Sequence, residues 1–362
     1  MTILDRYLGS RVIAALVRTV ISLVMLFILI DLLTHRRAQI ARHDVPLDAV
    51  AVYYALYVPK ILYKYQAAAL AMLVSALLVL GTAAQNNEIV GALSGGISLR
   101  RIVRAPIFIA AGLAVAVFAM QETLGVTASR QFDRIEARYF PSSAQRKRPG
   151  VSWARLAGGW TCHVMKFNRA ALTGEGVLMH ATHKDTVEQI YARRIFWDEH
   201  ARQWQIEDGR WFVFDPQKEW EGEVFRITQR PAPIVETPEE LFALDAPPET
   251  KTVAQLAAHI RNAEKHGMPV QGYWVDFHAK FAQPALSFVM VWLAIPFAVR
   301  LRKGGFAISF GLSIVIGLVY LLVFRIAMGL GHLEHLWPPA AAWLANAVFL
   351  TTGLILFRKT PT

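Results

Sequence analysis

The sequence contains one cysteine and lacks the short motifs by which many proteins hold nucleotides. Cys162 is the only cysteine among 362 residues, so an internal disulfide cannot form and a cysteine-based zinc finger is excluded. The chain has no Gly-Lys dipeptide and no Gly-x-Gly-x-x-Gly segment, so it contains neither a phosphate-binding P-loop nor a dinucleotide-binding fingerprint. Nucleotide binding by these two motifs is therefore excluded.

The chain is also poor in charge, and most of the charge it has is positive. Charged residues make up 18% of the chain and hydrophobic residues 54%, which is too apolar for a typical soluble domain. Lys and Arg number 38 against 27 Asp and Glu, for a net charge of +11. This excess favours anionic partners such as phospholipid headgroups or lipid phosphates. The composition as a whole predicts a membrane protein, with no nucleic-acid partner.

Six apolar runs are long enough to cross a bilayer as helices, three in each terminal part of the chain. They cover about residues 12–33, 61–82, 102–120, 281–299, 306–330 and 340–357. The first run follows Arg6 and Arg11 and has no small-residue cleavage site behind it, so we interpret it as a retained helix and not as a signal peptide.

The basic residues of the short loops predict the orientation of these spans, because Lys and Arg are retained on the cytoplasmic side. If the spans alternate, four basic groups share one side, which we assign to the cytoplasm. The groups are Arg6 and Arg11; Arg100, Arg101 and Arg104; Arg300, Arg302 and Lys303; and Arg358 and Lys359. The polar middle of the chain, about residues 122–278, then lies on the exported side.

Within this middle, residues 150–228 consist of short β-rich runs separated by turn residues, typical of an antiparallel β-sandwich or jellyroll-like domain. Asp208-Gly209 lies between two such runs and predicts a hairpin turn. A helix should follow, because Thr252 and Gln255 fit a capping box. The predicted domains are the first three spans at 1–122, the β domain at 123–250, a connecting helix at 251–277 and the last three spans at 278–362.

The loop between the first two spans contradicts the charge rule, because it is basic although it lies on the outer side. Its basic residues, with those that begin the second span, are His35, Arg36, Arg37, Arg42, Lys60 and Lys64. They fit either an anionic ligand or side chains that extend to lipid headgroups.

Arg325 lies deep in the fifth span, where a charge is costly and normally faces the bundle interior, water or a partner charge. Glu122, at the outer end of the third span, is one candidate partner. A structural ion pair is the alternative to a role in function.

The predicted cytoplasmic loop at residues 85–98 is short and mildly amphipathic, and Glu88 is its one carboxylate. Such a segment can lie along the membrane surface as a short helix and insert into a groove of a soluble partner. The alternative is a plain connecting loop.

Two histidine pairs have the spacing of metal ligands, His332-x-x-His335 and His180-x-x-His183. Each lacks a clear third ligand, so we predict no metal site. No Ser/His/Asp set or carboxylate pair stands out either, so we predict neither catalysis nor a cofactor.

Four separated motifs in the right order resemble the lipopolysaccharide-export permease family LptF/LptG, also called YjgP/YjgQ. The motifs are Ile3-Leu-Asp-Arg-Tyr7, Gln85-Asn-Asn-Glu88 through Gly96-Ile-Ser98, Phe281-Ala-Gln-Pro284 through Ile295-Pro296-Phe297, and Trp337-Pro-Pro339 through Trp343-Leu-Ala-Asn346. The resemblance covers essentially the whole chain, and the opening motif and the β domain lean towards LptG.

This resemblance implies one half of an ABC exporter in the bacterial inner membrane, with six membrane helices and a periplasmic jellyroll. Members of the family pair as LptF with LptG on an LptB-type ATPase dimer, extract lipopolysaccharide and pass it to LptC and LptA. By the same resemblance, the coupling helix lies at about 84–98, the first and fifth spans form lateral gates, and two sets of residues carry the function. The set expected to meet the ATPase is Asn87, Glu88, Ile89 and Leu93, and the set expected near the lipid phosphates is Arg36, Arg37, Lys60, Lys64 and Arg325.

Two other functions remain open on the sequence. A non-transporting membrane scaffold would explain the β domain but neither the loop at 85–98 nor Arg325. An ion- or proton-driven transporter would normally carry carboxylates at mid-membrane in broken helices, and apart from Arg325 the predicted span centres lack charges.

Overall fold

Six long apolar helices and one antiparallel sheet make up two separate units in the computed structural model of the chain. The first unit comprises Met1–Phe140, Pro248–Leu256 and Gln271–Thr362, and the second comprises Pro141–Pro247 and Ala257–Val270. Residues described by the structure are 3–43, 45–140, 151–153, 156, 159–168, 171–182, 186–214, 222–238, 241, 248–265, 270–300 and 305–360.

The helical unit begins with α1 (Ile3–Asp31), which continues through a π-helical turn at Leu32–Arg36 into α2 (Arg37–His43). The following helices are α3 (Leu47–Tyr63), α4 (Ala67–Gln85), α5 (Glu88–Ser94), α6 (Leu99–Ile102) and α7 (Arg104–Met120); a second π-helical turn at Gln121–Gly125 leads into α8 (Val126–Tyr139). After the sheet come α9 (Val253–Lys265), α10 (Gln271–Arg300), α11 (Gly305–His332) and α12 (Pro338–Arg358).

Six of the described helical segments are long and apolar enough to span a membrane, which confirms the predicted number. They are Ile3–Ile40, Ala67–Gln85, Arg104–Ser129, Gln271–Arg300, Ile308–His332 and Pro338–Arg358. Most of α4 and α10 is buried, whereas α1 and α11 expose most of their apolar side chains. The core of this unit therefore lies around α4 and α10, where Met72, Leu77 and Met290 are fully buried.

The second span begins later than predicted, at Ala67. Gln66 has a φ of 59°, and this left-handed residue separates α4 from α3 because it interrupts the helical repeat. The part of the predicted span before Gln66 belongs to α3, whose tyrosines pack against α8. Tyr53 and Tyr57 lie 4.8 and 5.4 Å from the ring of Phe132.

Helix α8 occupies residues that the sequence analysis assigned to the β domain, which was expected to begin at residue 123. The chain is helical there because Phe132 and Ile135, one turn apart, present an apolar face to the tyrosines of α3.

The fourth span also begins before its predicted start at residue 281, because α10 starts at Gln271. The capping box is confirmed: Gln255 Oε1 accepts from the Thr252 N–H, and Thr252 Oγ1 accepts from the Gln255 N–H.

The second unit contains an antiparallel sheet inserted between helices, as predicted. Its six strands pair in chain order. They are β1 (Val151–Trp153), β2 (Thr161–Asn168), β3 (Thr173–Thr182), β4 (Val187–Asp198), β5 (Gln203–Phe214) and β6 (Gly222–Pro231). One face of the sheet forms the core, with Cys162, Ile190, Trp204 and Ile206 fully buried.

A single row of residues interrupts the hydrogen-bonded ladder from β2 to β6. The strands pair on both sides of this row, whereas Met165, Gly176, Arg193, Asp208 and Thr228 have no partner in the register. Gly176 and Asp208 have positive φ values of 69° and 52°. Such an interruption allows a sheet to bend.

The prediction of a hairpin turn at Asp208-Gly209 is wrong, because both residues lie inside the continuous strand β5.

Candidate functional site

The short helix α5 is joined to the end of α4 through Asn87, which has a φ of 57°. Two of the four residues expected to meet an ATPase face inwards: Ile89 is 3% exposed, and Leu93 packs against the core of the helical unit. Asn87 is exposed and Glu88 is about one-third exposed. The polar beginning of α5 is therefore accessible, whereas Ile89 and Leu93 anchor the helix to the bundle.

Glu88 is held by the first helix. Arg11 donates to both carboxylate oxygens of Glu88, at 3.1 and 3.3 Å, and to the Tyr7 hydroxyl oxygen at 2.9 Å. The Tyr7 hydroxyl in turn lies 3.4 Å from the Glu88 carboxylate. These contacts connect α1 with α5 at one end of the bundle.

A charged cavity of about 380 Å³ lies at the other end of α4. Two acid–base pairs line it, Lys64 with Glu249 and His332 with Asp276 at 3.2 Å. Lys280 also belongs to the wall, and its partner Glu122 directly follows the lining residue Gln121 in the sequence. Arg325 joins Lys64 and Lys280 as a third basic side chain of the wall. The cavity gathers charges from helices that are far apart in the sequence.

Lys280 and Glu122 form the most buried of these pairs. The Lys280 ammonium lies 3.1 Å from the Glu122 carboxylate, and the two side chains are 7% and 19% exposed. The other Glu122 oxygen accepts from the Val253 N–H at 2.7 Å, at the first residue of α9. Glu122, the one candidate partner that the sequence offered for Arg325, therefore pairs with Lys280 and accepts from the first N–H of α9.

Arg325 is exposed to the cavity and has no ion pair or hydrogen bond with any residue that the structure describes. Its neighbours in the wall include Phe324, Met328 and Gly329. A guanidinium in this position presents its donors to whatever occupies the cavity, and its planar fork matches the oxygens of a phosphate.

Arg36 has a different environment. It is 12% exposed and pairs with Asp31 and Glu136. Its guanidinium also lies 5.0 Å from the rings of both Tyr53 and Phe140. These contacts fix Arg36 inside the aromatic cluster between α3 and α8, where burial raises the pKa of the Tyr53 phenol.

The remaining basic residues of this region lie at the aromatic cluster, at the cavity or on the surface. The Lys60 ammonium lies 4.5 Å from the ring of Phe132, and Lys64 pairs with Glu249 at the cavity. Arg37 is exposed, with no polar partner among the residues that the structure describes. The side chain of Arg42 lies outside the described part of the chain.

The histidine pairs form no metal centre in the part of the chain that the structure describes, where no group of three His, Cys, Asp or Glu side chains meets. His332 contacts Asp276 and the Met328 carbonyl. His183 lies outside the described residues.

Sequence reasoning missed Asp276, Lys280 and Glu249 as parts of the site. Asp276 and Lys280 were placed before the fourth span, although their spacing of four residues puts them on one face of a helix. That spacing, directly ahead of the apolar run, was the signal that could have found them. Glu249 carried no such signal, since its position at the cavity depends on the fold.

One family model matches the chain over residues 6–359, under the description "Lipopolysaccharide export system permease LptF/LptG". The match covers all six spans and the β unit and does not distinguish the two names in that description. No curated protein matches the chain.

Proposed function

Because the chain belongs to the LptF/LptG family of lipopolysaccharide export permeases, we propose that it forms one half of an exporter that a separate ATPase drives. The exporter takes lipopolysaccharide out of the inner membrane and passes it to a periplasmic bridge of LptC and LptA type. The family match over nearly the whole chain is the observation that carries this proposal.

The arrangement at α5 supports coupling to an ATPase. Its apolar side is anchored in the bundle while Asn87 and Glu88 remain accessible, so a force on this polar surface reaches α4 directly and α1 through Arg11. We propose that an LptB-type ATPase dimer docks here, with a basic residue against Glu88. Ile89 and Leu93 would then transmit the motion of the ATPase to the bundle, because they pack against its core.

The exposed apolar faces of α1 and α11 support pairing with a second permease half. Large side chains such as Ile21 and Met25 on α1, and Leu318 and Leu322 on α11, are between 58% and 62% exposed. We propose that these two helices meet an LptF/LptG paralogue and form the lateral gates through which the lipid enters.

The charged cavity supports recognition of a phosphorylated lipid. Arg325 and Arg37 have no described partner, and we propose that both contact the phosphates of lipopolysaccharide. Arg325 and Lys64 would do so at the cavity, and Arg37 from its exposed position on α2. We propose an indirect role for Arg36 and Lys60, because both side chains contact the aromatic cluster between α3 and α8. The β domain then lies in the periplasm and receives the lipid.

The test is to purify the tagged chain in mild detergent from its native membrane, identify the stoichiometric partners and measure ATP hydrolysis. We expect an ATPase and a second six-span protein to copurify, with hydrolysis stimulated by lipopolysaccharide. A chain that purifies alone and without ATPase activity would overturn the proposal and favour the membrane scaffold.

A further inference from the structure

The face of the sheet that is turned away from the core carries a line of paired residues across four strands. Leu178 on β3 lies opposite Tyr191 on β4, Tyr191 opposite Arg210 on β5, and Arg210 opposite Arg226 on β6. Tyr191 and both arginines are exposed. Aromatic and basic side chains therefore share one surface.

Arg210 and Arg226 are direct cross-strand neighbours of like charge. Like charges in this position destabilise a sheet, and neither arginine has a carboxylate partner among the residues described by the structure. Two arginines of β4 are paired, Arg193 with Asp208 and Arg194 with Glu207, each at 3.5 Å. An uncompensated pair beside two compensated arginines indicates a place for an external anion.

The interrupted row of the ladder adds a concavity next to this pair. An open cavity of about 760 Å³ extends over Gly176 and Gly209, and Arg210 and Arg226 are part of its wall. Gly176 has no side chain to fill this space, and its φ of 69° disfavours any other residue. The space is large enough for a ligand that fills a typical binding pocket.

Aromatic rings line the same cavity. Tyr191 and Phe212 meet edge to face at a centroid distance of 5.8 Å, and both belong to the wall. Arginine forks bind phosphate oxygens in pairs, and aromatic faces pack against the apolar faces of sugar rings. The two features together suit a phosphate carried on a saccharide better than free phosphate.

We propose that this surface, formed by Tyr191, Arg210, Phe212 and Arg226, binds the phosphorylated saccharide headgroup of the exported glycolipid. The proposal rests on the proposed function for the identity of the glycolipid. It assigns the outer face of the sheet a contact with the cargo in addition to the helical cavity. Arg210 and Arg226 bind the phosphate, and the two aromatic rings hold the sugar.

A photo-cross-linking residue tests this in the full chain in its native membrane. Val224 lines the cavity and is 58% exposed, so p-benzoylphenylalanine at position 224 samples the site without removing a proposed contact. We expect a cross-link to lipopolysaccharide that falls at least tenfold when Arg210→Gln and Arg226→Gln are combined. Arg194→Gln, which removes the same charge from a paired arginine of β4 that does not line the cavity, should leave it within twofold.

A second cross-linker at position 328, where Met328 lines the helical cavity, separates the two proposals. A lipopolysaccharide cross-link at 328 without one at 224 would overturn the outer-face site and leave the proposed function standing. Failure at both positions, with no export by the cells, would overturn the proposed function. A cross-link at 224 to a protein or to a phospholipid, or equal losses with Arg194→Gln, would also refute the saccharide site.

Discussion

Arg11 on α1 and Glu88 on α5 are joined by two hydrogen bonds of 3.1 and 3.3 Å across 77 residues of sequence. The carboxylate thus has an internal partner before any other protein approaches it. Both side chains are about one-third exposed, so a cation from outside can reach Glu88 as well. Glu88 therefore has two roles that can be separated, one within the chain and one towards the proposed ATPase.

The first prediction concerns exchange of these two charges. Arg11→Glu should loosen α5, because Glu88 would then face a like charge, and amide hydrogen exchange of α5 should become up to about fivefold faster, as an exposed ion pair contributes no more than about 1 kcal/mol. Adding Glu88→Arg should restore the slow exchange by re-forming the pair in reverse.

ATPase docking should respond differently to the same double variant. Because the proposed partner presents a basic residue to Glu88, docking should stay weak when Glu88→Arg and Arg11→Glu are combined. Glu88→Ala should leave the chain folded and inserted but also weaken docking. Full recovery of docking in the double variant would show that the internal pair alone accounts for the role of Glu88.

The second prediction concerns the buried pair of Lys280 and Glu122. Lys280→Met leaves the Glu122 carboxylate without its partner in a largely buried place, and breaking such a pair costs about 3 kcal/mol. We expect a clear fall in the Tm of the chain in detergent. Combining Glu122→Gln with Lys280→Met should recover part of the loss, since no buried charge remains.

Lys359→Met is the matched control, because Lys359 lies exposed just after α12 and its removal changes the net charge equally. Its Tm should stay close to that of the unchanged chain. If Lys280→Met behaved like this control, the Lys280–Glu122 contact would carry no stability.

The six spans and the inserted sheet were predictable because both depend on local patterns. A run of about 20 apolar residues specifies a membrane helix, and alternation with frequent turn residues specifies strands. The capping box at Thr252 is equally local, and it was found correctly. These features need no knowledge of which elements meet.

The cavity was only partly predictable, because its wall joins Lys64, Gln121, Glu249 and Arg325 from four distant parts of the chain. Arg325 could be found because a charge is costly inside a span, but the sequence does not say which charges meet, and the candidate partner Glu122 pairs with Lys280. At Asp208-Gly209 the local turn signal was real, as the positive φ of Asp208 shows. The two residues nevertheless lie within one strand, because β5 pairs with β4 and β6 both before and after them.

The third prediction concerns Cys162 in the core of the sheet. Burial raises the pKa of its thiol from an ordinary value near 9 to about 12, because the thiolate loses its hydration. At pH 8 roughly one thiol in 10,000 is then ionised, so alkylation by iodoacetamide should be very slow in the folded chain and rise about tenfold per pH unit.

The same shift makes this thiol's contribution to folding depend on pH. The Cys162 thiol ionises near pH 9 in the unfolded chain and only near pH 12 in the folded chain. Its contribution to the free energy of unfolding is therefore complete below about pH 9 and is lost as the pH rises towards 12. A cysteine introduced by Ser98→Cys at an exposed position should react quickly at pH 8. Equal rates for the two thiols would mean that Cys162 is accessible.

The last prediction contrasts Arg36 and Arg325, two of the three arginines that the family resemblance placed near the lipid phosphates. Arg36→Gln leaves Asp31 and Glu136 without their shared cation in the aromatic cluster, and it removes the guanidinium from the rings of Tyr53 and Phe140. A loss of about 2–3 kcal/mol in the free energy of unfolding is expected when a partly buried charge network is broken in this way, seen as a lower Tm in detergent.

Arg325→Gln should behave in the opposite manner, because Arg325 has no described partner to lose. Its Tm should stay near that of the unchanged chain, whereas stimulation of the ATPase by lipopolysaccharide should fall about tenfold if the guanidinium binds a phosphate through charged hydrogen bonds of about 1.5–3 kcal/mol. Arg325→Lys should recover part of the stimulation, since the charge remains but the planar fork is lost. A fall in Tm with Arg325→Gln and unchanged stimulation would instead make Arg325 a structural residue, and phosphate recognition would then have to depend on Lys64 and Arg37.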